Sequence, residues 1–138
     1  MTQDNKLTKV QELVYELKVS DAMTRKVITL APQSLMSELR EVLKFNRISG
    51  TPIVEDGRLV GIISIEDFIK WLSAGGKDCP IKDKMVVDVK TMYADEPLIH
   101  AVSKIEKYGY GRLPVIDRNS AKMVGVITKG DIIVRLLK

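Results

Sequence analysis

The chain has 138 residues, a formal net charge of +4, 45% hydrophobic and 29% charged residues. That is an ordinary globular composition, long enough to bury a core without a covalent staple. A single cysteine, Cys79, excludes an intrachain disulfide and points to a reducing, cytoplasmic home. No apolar run approaches bilayer length, and the polar start Met1–Lys6 is not that of a secretory signal, so no membrane partner is expected. Lys and Arg are interleaved with Asp and Glu, and aromatics are only 5%, so no nucleic-acid partner is expected either. His100 has no cysteine or carboxylate cluster to make a metal site. No Ser/His/Asp set, P-loop or dinucleotide fingerprint is present, and the chain reads as a non-enzyme.

In chain order, Leu7, Val10, Leu13, Val14 and Leu17 form one helical stripe, expected to pack across the rest of the molecule. Val19–Thr24 opens with Ser20 or Asp21 as a helix cap. Val27–Thr29 predicts a short strand. A helix beginning near Pro32 carries Leu35, Met36, Leu39, Val42 and Leu43 on one face and ends near Asn46. Gly50–Val54 and Leu59–Ser64 predict a hairpin turning at Asp56–Gly57. Phe68, Ile69 and Leu72 then predict the buried face of a closing helix.

Gly75–Asp78 reads as a linker, and the order then repeats. Ile81–Met85 is the opening turn and Val89–Thr91 the strand. Asp95 is placed to cap a helix with Pro97 in its first turn and Leu98, Ala101, Val102 and Ile105 inside. Leu113–Ile116 and Met123–Thr128 are the hairpin strands. Ile132, Ile133, Leu136 and Leu137 are expected to face the core from the last helix.

The repeat is one of register as well as of order. Met23 recurs as Met85 and Pro52 as Pro114, 62 residues on; Gly61 recurs as Gly125 and Asp67 as Asp131, 64 residues on. The difference falls in the hairpin loop, where insertion is cheap. The fold class expected is therefore mixed α/β: two pseudo-symmetric β-α-β-β-α repeats packed sheet to sheet, with an N-terminal helix. The boundaries are 1–18 for the helix and tail, 19–72 for repeat 1, 73–80 for the linker and 81–138 for repeat 2.

Gly61–Ile–Ile–Ser64–Ile–Glu–Asp67 and Gly125–Val–Ile–Thr128–Lys–Gly–Asp131 share one pattern, a glycine, two apolar residues, a hydroxyl and, three residues on, an aspartate. The hydroxyl-to-acid spacing is that of a capping box. Three features argue for more. The pattern occurs twice, Asp is shorter than the usual Glu for reaching back, and a glycine inside a strand suggests that something approaches the backbone closely. A helix N-terminus with a hydroxyl binds phosphate, and a carboxylate one turn on accepts from the vicinal hydroxyls of a ribose. Ser64 and Thr128 are thus phosphate candidates, Asp67 and Asp131 ribose candidates.

These motifs, with Ser20–Thr24, Lys82–Met85, Gly50–Val54 and Arg112–Asp117, resemble a tandem pair of CBS (cystathionine-β-synthase) domains, the Bateman module, over about residues 19–137. The resemblance implies a regulatory module in signal transduction, binding AMP, ADP, ATP, S-adenosylmethionine or a cyclic dinucleotide in clefts between two repeats, and forming a homodimer. It implies no required cofactor, although a multiphosphate nucleotide brings Mg²⁺ with it. By position, Thr29, Thr51, Pro52, Ile53, Thr91, Leu113, Pro114 and Val115 would border the base. Arg112 stands where repeat 1 has Gly50 and would favour the more anionic ligand, assisted by Arg25, Lys26 and Lys129. Two alternatives stay open: a structural dimerisation module without ligand, and the sensory fragment of a larger enzyme or transporter.

Overall fold

The structure, a computed structural model, describes residues 2–46 and 50–137, with side chains from 9 to 44 and from 50 to 137. Its elements are α1 (Thr2–Glu16), α2 (Val19–Ala22), α3 (Met36–Asn46), β1 (Gly50–Glu55), β2 (Arg58–Ser64) and α4 (Ile65–Ser73). A 3-10 turn at Ile81–Asp83 follows, then β3 (Met92–Tyr93), α5 (Leu98–Tyr108), β4 (Arg112–Ile116), β5 (Met123–Thr128) and α6 (Lys129–Leu137). The chain forms two compact units. One combines Met1–Val27 with Lys90–Lys138; the other is Ile28–Val89.

In the unit of residues 28–89, β1 and β2 pair antiparallel, with Gly50 opposite Ser64 and Glu55 opposite Arg58. The turn needs positive φ at both central residues, supplied by Asp56 (53°) and Gly57 (79°). Leu30 bridges to Ile53 on one side of the hairpin and Val86 to Ile62 on the other. Met36 and Leu39 of α3, Ile53 and Ile63 of the hairpin, Trp71 of α4 and Ile81 form the core.

The unit of residues 1–27 and 90–138 has the same plan. Its sheet runs β3-β4-β5, with Met92 parallel to Val115 and Arg112 antiparallel to Thr128. Thr24 bridges to Val126 at the outer edge of β5. The core gathers Val19, Leu98, Ala101, Leu113, Val115 and Ile127, with Met92, Ile105 and Ile132 around them. Helix α1 packs on α5 and α6, both from the second repeat; Val14 is its buried residue, and the Leu7 side chain lies outside the described ones.

Each repeat therefore gives its opening turn to the other repeat's sheet. The hydrogen bonds match pair by pair. Leu98 N donates to Leu17 O as Met36 N does to Cys79 O; Val19 N donates to Glu96 O as Ile81 N does to Ser34 O. Thr24 exchanges two backbone hydrogen bonds with Val126, and Val86 exchanges two with Ile62.

The structure corrects several expectations. Val27–Thr29 and Val89–Thr91 are not strands; pairing starts at Leu30 and at Met92, whose side chains turn into the cores while Ile28 lies exposed. Asp95 does not cap α5. Pro97 is its N-cap residue, with no side-chain cap, and the first helical N–H is taken by Leu17 O. Asp95 instead grips Arg118 with both oxygens (2.9–3.3 Å), which leaves that carboxyl below its ordinary range, and Arg118 lies 4.0 Å over the Tyr93 ring. Finally, α4 leaves Ile69 (54%) and Leu72 (51%) exposed, and α6 leaves Ile133 (56%) and Leu137 (74%) exposed. Helix periodicity names a stripe but cannot say how wide a strip the core covers.

Candidate functional site

Both hydroxyl-acid pairs stand where a strand runs directly into a helix. At Ser64 the backbone is still extended (φ −108°, ψ 168°) while α4 begins at the next residue. Ser64 Oγ accepts from the Asp67 N–H at 3.2 Å, and Asp67 Oδ2 accepts from the Ser64 N–H at 2.8 Å. The second pair matches it: Thr128 Oγ1 accepts from the Asp131 N–H at 3.1 Å, and Asp131 Oδ2 accepts from the Thr128 N–H at 3.0 Å. Both are complete capping boxes, so Asp is long enough to reach back.

The glycines have a structural reason as well. A Cβ at Gly61 would lie 2.5 Å from Met85 Sδ and 3.0 Å from Val86 O. A Cβ at Gly125 would lie 2.6 Å from Thr24 O and 3.0 Å from Met23 Sδ. What approaches the backbone so closely is the opening segment of the other repeat, with its methionine laid over the glycine.

The two pairs differ in which groups remain free. Ser64 Oγ also lies 2.9 Å from Asp67 Oδ2, and a carboxylate can only accept, so the Ser64 O–H is engaged. Asp67 Oδ1 has no partner among the described residues. Around Asp131 the assignment is reversed. The Thr24 hydroxyl donates to Asp131 Oδ1 at 2.9 Å, whereas the Thr128 O–H has no acceptor among the described residues. Val86, the counterpart of Thr24, has no hydroxyl to offer Asp67.

The remaining candidates separate by face. Thr51, Ile53, Leu113 and Val115 point into the cores at 1% exposure or less, and Pro52 and Pro114, alternating with them, are buried on the opposite face of each hairpin. Thr51 Oγ1 is buried with no hydrogen-bond partner among the described residues. Arg112, half-buried, starts β4 opposite Thr128 and has no carboxylate partner among the described residues. Gly50, at its place in the first hairpin, leaves a side chain little space: a Cβ would lie 3.0 Å from Ile63 O. Thr29, Arg25, Lys26 and Lys129 are exposed; Thr91 is half-buried, and its carbonyl accepts from Lys104 Nζ at 2.9 Å. Thr24 was quoted in the opening motif but given no role by sequence reasoning. The signal for one was its replacement by Val86 in the second repeat. Among the described residues no His/Cys/Asp/Glu cluster could hold a metal, and no helix is long and apolar enough to cross a membrane.

Comparison with known proteins agrees with this duplicated architecture. The CBS domain model matches residues 19–74 and 81–138. The chain is 34% identical over 117 residues to uncharacterized protein MJ1232 of Methanocaldococcus jannaschii, covering 85% of this chain and 38% of that protein. It is 28% identical over 118 residues to the CBS domain-containing protein YhcV of Bacillus subtilis, covering 84% and 83%. The chain spans less than half the length of the first curated relatives it matches. Among solved structures, the CBS domain pair of protein MJ0100 in complex with 5′-methylthioadenosine and S-adenosyl-L-methionine is 34% identical. It aligns over 88% of this chain and 95% of that one, with a TM-score of 0.71. The CBS-pair protein CBSX2 of Arabidopsis thaliana shares the fold at a TM-score of 0.76 and 23% identity.

Proposed function

The chain belongs to the CBS domain family, as a tandem pair of its domains, and on that premise we propose that it is a regulatory module sensing an adenosine-containing ligand, with no chemistry of its own. The observation that carries this reading is the repeated arrangement of a hydroxyl, a helix N-terminus and an aspartate at Ser64/Asp67 and Thr128/Asp131. A helix N-terminus favours anionic oxygens, and a carboxylate favours a vicinal diol. The solved relative at 34% identity binds two adenosine compounds, which supports the same ligand class here. Arg112, opposite Thr128 and without a carboxylate partner among the described residues, is the basic residue that would meet a phosphate; a Mg²⁺ would arrive with a multiphosphate nucleotide.

The test is a thermal-shift panel with AMP, ADP, ATP, S-adenosylmethionine and cyclic di-AMP on the wild type, Asp67→Ala and Asp131→Ala. A ligand at about 100 times its Kd stabilises by about 2.7 kcal/mol, a shift of several degrees in a chain of this size. A response lost in one aspartate variant supports sensing. Silence toward every compound would sink it.

A structural reading has its own support, because both capping boxes are complete without any ligand. The exposed apolar residues of α4 and α6 further favour a homodimer. Sedimentation of Ile69→Glu and Ile133→Glu variants, set against wild type, checks that part.

A further inference from the structure

The two candidate sites are built from equivalent positions but differ in the charge those positions carry. Beside Asp131, the opening segment supplies Arg25 and Lys26, α6 begins with Lys129, and Arg112 starts the strand opposite Thr128. Beside Asp67 the same positions hold Val87, Asp88, Ile65 and Gly50, and Glu66 stands where the second repeat has Gly130. At these equivalent positions the second repeat's hairpin side holds four cations and the first's holds two extra carboxylates. Two lysines, Lys70 and Lys84, do line a hollow with Asp67, and Lys90 follows Val89. Lys70 lies one helical turn beyond Asp67, away from the N-terminal end of α4.

The hydrogen bonds divide the same way. At Thr128 the hydroxyl has no acceptor among the described residues, while Asp131 already holds Thr24. At Ser64 the hydroxyl donates to Asp67, while Asp67 Oδ1 has no donor among the described residues. A phosphate needs donors and positive charge. A nucleoside without phosphate needs a free carboxylate oxygen for its diol and tolerates neighbouring acids.

We propose that the two sites divide adenosine ligands by charge: the Thr128/Asp131 site takes a phosphorylated nucleotide, and the Ser64/Asp67 site takes a neutral or cationic adenosine without phosphate. This rests on the sensing function proposed above. A module of this kind responds to the balance between a phosphorylated and a phosphate-free adenosine pool.

Titration calorimetry with AMP and with 5′-methylthioadenosine tests it, on wild type, Lys129→Glu and the double variant Glu66→Lys/Asp88→Lys. All three substituted positions are exposed, so the fold is retained. The wild type should bind one AMP and one methylthioadenosine. Lys129→Glu should weaken AMP about tenfold or more and leave methylthioadenosine unchanged, since opposing one phosphate charge at close range reaches that size. Glu66→Lys/Asp88→Lys should gain a second AMP. Two equivalent AMP sites in wild type, equal losses for both ligands in Lys129→Glu, or no second AMP in the double variant would each overturn the division while leaving sensing intact. Binding of neither compound would also overturn the division, whereas sensing itself falls only if the whole thermal-shift panel is silent.

Discussion

The hydroxyl of Thr24 donates to Oδ1 of Asp131 at 2.9 Å, across 107 residues of sequence. It ties the opening segment of the first repeat to the helix start of the second, beside the backbone pairing of Thr24 with Val126. Thr24→Val should lower stability by about 0.5–1.5 kcal/mol, the usual net worth of such a bond, toward the lower end because Thr24 is exposed. Val86→Thr should install the same bond at Asp67 and recover a similar amount. Urea unfolding reads both; a Thr24→Val variant within about 0.3 kcal/mol of wild type would show that the bond contributes nothing.

Glycine at 125 is set by a backbone carbonyl and glycine at 61 first by a side chain. The nearest atom to a new Cβ is Thr24 O in one case and Met85 Sδ in the other. A carbonyl held in a strand pairing cannot move aside, whereas a methionine side chain can. Gly125→Ala should therefore destabilise by about 2–3 kcal/mol and Gly61→Ala by about 1 kcal/mol, measured as shifts in the urea midpoint. The reverse order would mean that the Met85 contact, or Val86 O behind it, is the stiffer one.

Thr51 carries a hydroxyl into an apolar core, where Oγ1 is buried without a hydrogen-bond partner among the described residues. Its counterpart in the second hairpin is Leu113. Thr51→Val keeps the shape and removes the desolvated hydroxyl, so it should stabilise the protein by about 1 kcal/mol. A loss of stability on thermal unfolding would show that the hydroxyl is satisfied in solution.

Acid should remove a small part of the stability through Asp95. Its hydrogen bonds from Arg118 hold the carboxyl below the ordinary 3.8, so its folded-state pKa is lower than its unfolded one. The contribution is present above the unfolded value and is lost as pH falls through the folded one. Asp78, held down by the Ser37 hydroxyl, and Asp117, held down by Ser120, have the same sign. Stability should fall on acidification below pH about 4, and Arg118→Met should flatten that fall. Carboxyl NMR titration of Asp95 in the variant should return it toward 3.8; no change would assign the shift to another cause.

Much of the site is legible in sequence because its geometry is local. A capping box joins residues three apart, and the turn at Asp56–Gly57 needs only the φ preferences of its own residues. That Asp is shorter than the usual Glu turns out to carry no weight against the box, since its carboxylate reaches Ser64 N at 2.8 Å. The glycines were read correctly as places of close approach, but the approaching group belongs to the protein.

Sequence alone determined the duplication, its registers and the helix-start chemistry, since these rest on spacing along one stretch of chain. Only the tertiary structure decided which opening segment lies on which hairpin. Met23 and Met85 are near-equivalent, and nothing within either repeat says that Met23 covers Gly125 and Met85 covers Gly61. It likewise decided that Thr24 occupies Asp131 while one oxygen of Asp67 has no partner among the described residues, because that contrast requires residues far apart in sequence to meet. How much of α4 and α6 stays uncovered was also beyond the pattern: periodicity gives the direction of an apolar face, and only the packed neighbours give its extent.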